Sequence, residues 1–160
     1  MNIKSLLLPL IAALALSLPV SAADKKKDGH NHDHSKEKKI TAPNGGRVIT
    51  AVEPHAEFLV TADRKVQITF LGKDGKAIAP AGQVVTVTAG ERSSPTKLTF
   101  AKSGNMLVSN AALPAGNDFP TVVQIKATPD AKTVTEKFNL NLSKCPTCSF
   151  AEYACTCETH

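Results

Sequence analysis

Residues 65 to 70 read Lys65-Val66-Gln67-Ile68-Thr69-Phe70, a stretch in which polar and apolar side chains alternate. Because successive side chains of a strand point to opposite faces, this period of two predicts a strand with one buried face and one solvated face. The same period recurs in three further stretches. They are Thr96-Lys97-Leu98-Thr99-Phe100, Val123-Gln124-Ile125-Lys126-Ala127 and Lys137-Phe138-Asn139-Leu140-Asn141-Leu142.

Turn-forming residues separate these stretches from four other candidate strands, at 47–52, 56–62, 83–89 and 106–110. Such short strands with regular turn signals are typical of antiparallel sheets. We therefore predict an all-β fold, a small antiparallel immunoglobulin-like β-sandwich of seven to eight strands over residues 42–143. The side chains expected to point inward are Phe58, Val60, Val66, Ile68, Phe70, Val85, Val87, Leu98, Phe100, Met106, Val108, Val123, Ile125, Phe138, Leu140 and Leu142.

The N-terminus has the parts of a secretory signal peptide. Lys4 supplies a positive charge, residues 6–18 form an apolar run, and Val20-Ser21-Ala22 presents the small residues that precede a cleavage site. The run of about 13 residues is shorter than the roughly 20 that a membrane-spanning helix needs. We expect residues 1–22 to be a signal peptide and the mature protein to be periplasmic or secreted, with no membrane span after cleavage.

A Lys-rich and His-rich segment follows the expected cleavage site. Residues 24–39 hold many charges and no large apolar side chain, so we expect residues 23–41 to be a disordered leader. Within it, His30, His32 and His34 occupy alternate positions. Neutral imidazole is a preferred ligand of Cu(II), Ni(II) and Zn(II), which predicts metal binding here. A solvated polar linker is the alternative interpretation.

The four cysteines all lie in a C-terminal tail, residues 144–160, as Cys145-Pro146-Thr147-Cys148 and Cys155-Thr156-Cys157. Two close pairs can bring four sulfurs around one tetrahedral ion, for which Zn(II) and Cu(I) are the thiolate-favoured choices, and His160 could replace one sulfur. An exported protein with an even number of cysteines also predicts disulfides, here the nested pairs Cys145 with Cys157 and Cys148 with Cys155. A redox-active Cys-x-x-Cys is a third interpretation.

A third candidate metal site lies at the start of a predicted strand, where His55 stands between Glu53 and Glu57. If Phe58 and Val60 point into the core, His55 and Glu57 point outward from one face. Imidazole and carboxylate on one face are compatible with a metal ion. The alternative is a solvent-facing histidine with ordinary ion-pair neighbours.

Three short motifs carry a resemblance to a known family. They are Ala42-Pro43-Asn44-Gly45-Gly46, Pro54-His55-Ala56-Glu57-Phe58 and Asp74-Gly75-Lys76. Over residues 42–80 the chain resembles the small β-rich modules of periplasmic heavy-metal efflux adaptor proteins and their stand-alone exported relatives. The resemblance implies an exported, metal-linked function and makes His55 and Glu57 family-typical positions. No stretch of the sequence reads as the long helical hairpin of a complete adaptor subunit.

Composition and motifs argue against two classes of function. Of the 19 basic residues only 3 are Arg, and aromatic residues make up 4% of the chain. Few side chains can therefore contact base edges or stack on bases, and we expect no nucleic-acid partner. No nucleophile elbow, phosphate-binding loop or His-Glu-x-x-His motif is present, so we expect no enzyme.

The predicted function is an exported protein that buffers or delivers a transition metal ion, Zn or Cu, with metal ions and an efflux or envelope protein as partners. The two groups of metal ligands, one near each end of the chain, favour this interpretation. The alternative is a disulfide-capped structural or interaction module that docks on a cell-envelope partner without metal. A body with more basic than acidic residues is compatible with that alternative.

Overall fold

The computed structural model describes residues 40–157, so the predicted signal peptide and almost all of the predicted leader lie outside it. The described residues form ten β-strands and one short 3-10 turn. The strands are β1 Arg47–Ile49, β2 His55–Val60, β3 Lys65–Leu71, β4 Ala77–Ile78, β5 Val84–Ala89, β6 Thr96–Leu98, β7 Phe100–Ser103, β8 Met106–Ala112, β9 Asp118–Lys126 and β10 Val134–Asn141. Over this range, no helix is long and apolar enough to cross a membrane.

The strands form two antiparallel sheets. The first has the order β1-β2-β3-β8-β7, with β4 paired to β3, and the second has the order β10-β9-β5-β6. Buried side chains of both sheets, such as Phe58 and Ile68 of the first and Val87 and Val123 of the second, belong to one apolar core. The predicted small all-β sandwich is therefore confirmed. It has ten strands where seven to eight were predicted, because β4 was not predicted and one predicted strand divides into β6 and β7.

Most of the side chains predicted to point inward lie in this core or against it. Four of them, Val60, Phe100, Phe138 and Leu142, are partly buried and pack against the core. The fully buried ones are Phe58, Val66, Ile68, Phe70, Val85, Val87, Leu98, Val123, Ile125 and Leu140. The alternation along these strands thus predicted the correct face.

The stretch predicted as one strand, residues 96–100, divides between the two sheets. β6 pairs with β5 in the second sheet, and β7 pairs with β8 in the first. Thr99 lies between them, where its N–H donates to the Asn110 side-chain oxygen over 3.0 Å and its carbonyl accepts the Asn110 N–H over 2.9 Å. The chain therefore crosses from one sheet to the other at a single residue, a bend that is common at the corners of sandwiches.

The prediction was wrong for β8. Met106 and Val108 are only half-buried, whereas Leu107 and Ser109 are 7% and 2% exposed. The inward positions of this strand are therefore Leu107 and Ser109 and not the predicted Met106 and Val108.

An irregularity in the pairing of β8 with β3 explains the buried serine. The register of the two strands shifts between Lys65 and Gln67. At this shift, Val66 donates its N–H to the Ser109 hydroxyl over 3.0 Å, and the hydroxyl donates to the Ala111 carbonyl over 2.6 Å. The side chain of Ser109 thus supplies the acceptor that a regular ladder would provide.

Replacing Ser109 by Ala should destabilise the sandwich by about 1–3 kcal/mol, because the Val66 N–H would be buried without an acceptor. Urea unfolding followed by circular dichroism measures this change, and the slope of the transition should stay unchanged. Ser103→Ala in β7 is the matched control, since Ser103 is exposed. Equal stability of the two variants would contradict the assigned role of Ser109.

Candidate metal centre

After β10 the chain makes a small hairpin that carries the first cysteine pair. Lys144 and Ala151 form an isolated antiparallel bridge. On either side of it, Cys145 donates its N–H to the Phe150 carbonyl and Glu152 donates its N–H to the Ser143 carbonyl, both over 2.9 Å. The loop that contains Cys145 and Cys148 is therefore closed by backbone hydrogen bonds.

The 3-10 turn Glu152–Ala154 then redirects the chain toward this loop. Its last hydrogen bond runs from the Cys155 N–H to the Glu152 carbonyl over 3.1 Å, and Cys155 itself is extended. Because of this reversal, the second cysteine pair returns to the first.

The four cysteine sulfurs converge on one point. The Sγ atoms of Cys145, Cys148, Cys155 and Cys157 all lie within 4.8 Å of one another. Cys155 Sγ is 3.4 Å from Cys145 Sγ and 3.6 Å from Cys148 Sγ. A tetrahedral ion with metal–sulfur bonds of about 2.3 Å separates its sulfurs by about 3.8 Å, so the four thiols have the spacing of a metal site. A disulfide needs sulfurs about 2.05 Å apart, which is shorter than the distances of Cys155 Sγ to Cys145 Sγ and Cys148 Sγ.

The thiols of Cys145 and Cys155 differ in pKa. Burial raises the pKa of Cys145, but N–H groups of Thr147 and Cys148 and the neighbouring thiols of Cys155 and Cys148 outweigh burial and lower that pKa to about 7. The N–H of Cys157 lowers the pKa of Cys155, but burial and the thiols of Cys157, Cys145 and Cys148 outweigh it and raise that pKa to about 12. Adjacent thiolates repel one another, so a cation among the sulfurs is what would let all four ionise at neutral pH.

Tyr153 anchors the second cysteine pair to the first sheet. Its side chain is buried, its hydroxyl accepts the Val60 N–H over 3.0 Å, and its ring meets the Phe58 ring edge-on at 5.9 Å. Burial raises the pKa of Tyr153, and the charge of Glu57 raises it further. Sequence reasoning missed this residue, although the single tyrosine of the chain stands two positions before Cys155.

Arg47 of β1 adds a second connection between the sheets and the tail. Its guanidinium donates to the Tyr153 carbonyl over 3.5 Å and forms an ion pair with Glu136 at 3.2 Å. It also lies over the Phe138 ring, 4.7 Å from the ring centroid. Arg47 therefore connects the C-terminal tail to strands of both sheets.

The expectation that Glu57 points outward into solvent was wrong. Its side chain is fully buried, because the loop of residues 42–46 covers this face of β2. His55 is half-buried, and its Nδ1 donates to the Val52 carbonyl over 2.8 Å while its Nε2 lies 3.5 Å from a Glu53 oxygen. Within residues 40–157, the four cysteines are the one group of three or more metal-ligand side chains close enough to hold an ion, and neither His55 nor Glu57 belongs to it.

The other predicted ligands lie outside the described residues. These are His30, His32 and His34 of the leader and His160 at the C-terminus. Their part in metal binding stays a prediction.

A cavity of about 800 Å³ borders the cysteine loop. Its walls include Ile40, His55, Phe150, Tyr153 and Cys155. Of the four cysteines, Cys155 contributes to this wall, so the cavity lies beside the cluster.

Comparison with known proteins adds no family to this description. No protein-family model, no curated protein and no solved structure matches the chain. The resemblance of residues 42–80 to efflux adaptor modules therefore stays a prediction.

Proposed function

We propose that this chain is an exported metal-binding protein that holds one Zn(II) or Cu(I) ion through Cys145, Cys148, Cys155 and Cys157. The observation that carries the proposal is the convergence of four sulfurs within 4.8 Å. Thiolates are soft ligands that select Zn(II) and Cu(I), and four of them in a tetrahedral arrangement favour Zn(II).

The donor set also indicates what kind of site this is. Four protein ligands complete the coordination of a tetrahedral ion, whereas a catalytic zinc site keeps one position for water or substrate. We therefore propose that the protein stores or delivers the ion and is not an enzyme. The cavity beside Cys155 supports delivery, because an incoming ligand could reach the cluster there.

Export and a link to efflux are parts of the proposal that rest on the sequence. The signal-peptide pattern of residues 1–22 supports a periplasmic or secreted location. The histidines of the leader supply a second, weaker set of metal ligands. The resemblance of residues 42–80 to efflux adaptor modules supports an efflux or envelope protein as the acceptor of the ion.

Native mass spectrometry of the mature protein, purified without a His-tag and exposed to Zn(II) and Cu(I), tests the proposal. We expect one firmly held ion per chain, with affinity lowered more than about 100-fold by Cys148→Ser, because a ligand is lost. Ser149→Ala, one position along the same loop, is the matched control and should bind as the parent does.

The same spectra distinguish the alternative function. A mass four hydrogens lower with no bound ion would mean two disulfides, which would overturn the metal proposal and favour the disulfide-capped interaction module. If the ion still binds after all four cysteines are changed to Ser, the histidines are its ligands and the cysteine site is contradicted.

Removing the ion with a chelator under reducing conditions should leave the sandwich folded. The core is built from both sheets, and Tyr153 and Ala154 are the main side chains that the tail adds to it. We expect the far-ultraviolet circular dichroism spectrum to stay unchanged, while amide exchange in residues 143–157 accelerates at least tenfold. Loss of the β-sheet signal on chelation would contradict this separation of tail and sandwich.

A further inference from the structure

Glu57 is a fully buried carboxylate that is held by three N–H groups. Its Oε1 accepts the N–H groups of Asn44 and Gly46 over 2.9 and 2.8 Å, and its Oε2 accepts the Asn44 side-chain amide over 2.7 Å. A buried charge is tolerated when hydrogen bonds satisfy it in this way. The carboxylate therefore fixes the loop of residues 42–46 to β2.

This loop has no space for ordinary side chains where it meets β2 and the tail. A Cβ on Gly46 would lie 2.3 Å from the Phe58 carbonyl oxygen, so the loop backbone packs directly on β2. Gly45 has a φ of +81°, and a Cβ there would lie 3.1 and 3.3 Å from two ring carbons of Phe150. The ring of Phe150 is therefore seated on the backbone of Gly45.

Phe150 connects this contact to the metal ligands. Its carbonyl accepts the Cys145 N–H over 2.9 Å, the hydrogen bond that closes the loop of the first cysteine pair. Phe150 is 40% exposed, and its ring contact with the Gly45 backbone lies on the covered side. A displacement of the 42–46 loop would thus remove this contact from Phe150. The hydrogen bond between Phe150 and Cys145 would then hold Cys145 less firmly in place.

We propose that Glu57 is a positioning residue of the four-cysteine site, which acts through Gly45 and Phe150 without touching the ion. This inference rests on the proposed function, since it concerns the same site. Residues that orient metal ligands from outside the coordination sphere commonly change metal affinity 10-fold to 100-fold.

The test compares Glu57→Gln with the parent chain, using Zn(II) competition for affinity and Co(II) for its visible spectrum. The amide keeps the shape of Glu57 but turns an NH₂ group toward N–H donors. We expect Zn(II) to bind 10-fold to 100-fold more weakly and the tetrahedral thiolate bands of Co(II) to weaken. Asn44→Ala, which removes one of the three donors, should give a smaller change in the same direction and serves if Glu57→Gln does not fold.

A control separates positioning from general loss of stability. Leu98→Ala removes a buried side chain of β6, an edge strand of the second sheet, and leaves a cavity that destabilises the sandwich. It should leave Zn(II) affinity and the Co(II) spectrum within twofold of the parent. If Leu98→Ala weakens the metal as much as Glu57→Gln does, or if Glu57→Gln binds like the parent, the inference is overturned.

A double-mutant cycle tests the route through Phe150. If Glu57 acts through this ring, Phe150→Ala combined with Glu57→Gln should weaken Zn(II) binding no more than the stronger single change does. Effects that multiply would show that the two residues act independently and would contradict the proposed route.

A metal-free measurement distinguishes failure of the inference from failure of the proposed function. Amide exchange of the Cys145 N–H in the reduced protein without metal should accelerate at least tenfold in Glu57→Gln and not in Leu98→Ala. If the parent binds no metal, the proposed function fails, and the exchange rate still decides whether Glu57 positions the loop. An unchanged exchange rate in Glu57→Gln would overturn the positioning role.

Discussion

Strand β2 is buried on both of its faces, by the core on one side and by the 42–46 loop on the other. The placement of the cysteine loop depends on these contacts. Phe58 enters the core, where its ring lies edge-on to Phe138 at 5.3 Å and to Tyr153 at 5.9 Å. On the opposite face, Glu57 holds the 42–46 loop, and at the end of the strand the Val60 N–H holds the Tyr153 hydroxyl. One six-residue strand thus contacts the core, the loop that precedes β1 and the C-terminal tail.

The cysteine cluster combines a rigid support with a chemically adaptable set of ligands. Backbone hydrogen bonds close the loop of the first pair, and the 3-10 turn directs the second pair back toward it. The sulfurs are close enough to bind one ion, and the same closeness would let an oxidant join them as disulfides. The sandwich adds contacts from Arg47 and from the Val60 N–H to Tyr153, and these contacts do not involve the sulfurs.

The sequence predicts the features that depend on the local pattern of residues. It misses those that depend on contacts with segments distant in the sequence. Alternation along β3 and β9 predicted the sandwich, and the spacing of the cysteines predicted a group of four ligands. Glu57 follows the same alternation, yet its face is buried, because a loop that donates N–H groups lies over it. The inward Ser109 results from a register shift, which no pattern within β8 reveals. Tyr153 lies in a segment with no periodicity at all.

The crossing at Thr99 has a consequence for how the molecule unfolds. β6 belongs to one sheet and β7 to the other, and a single residue joins them. If the two sheets separated, β6 or β7 would lose its pairing with the neighbouring strand. Neither sheet is therefore an independent folding unit.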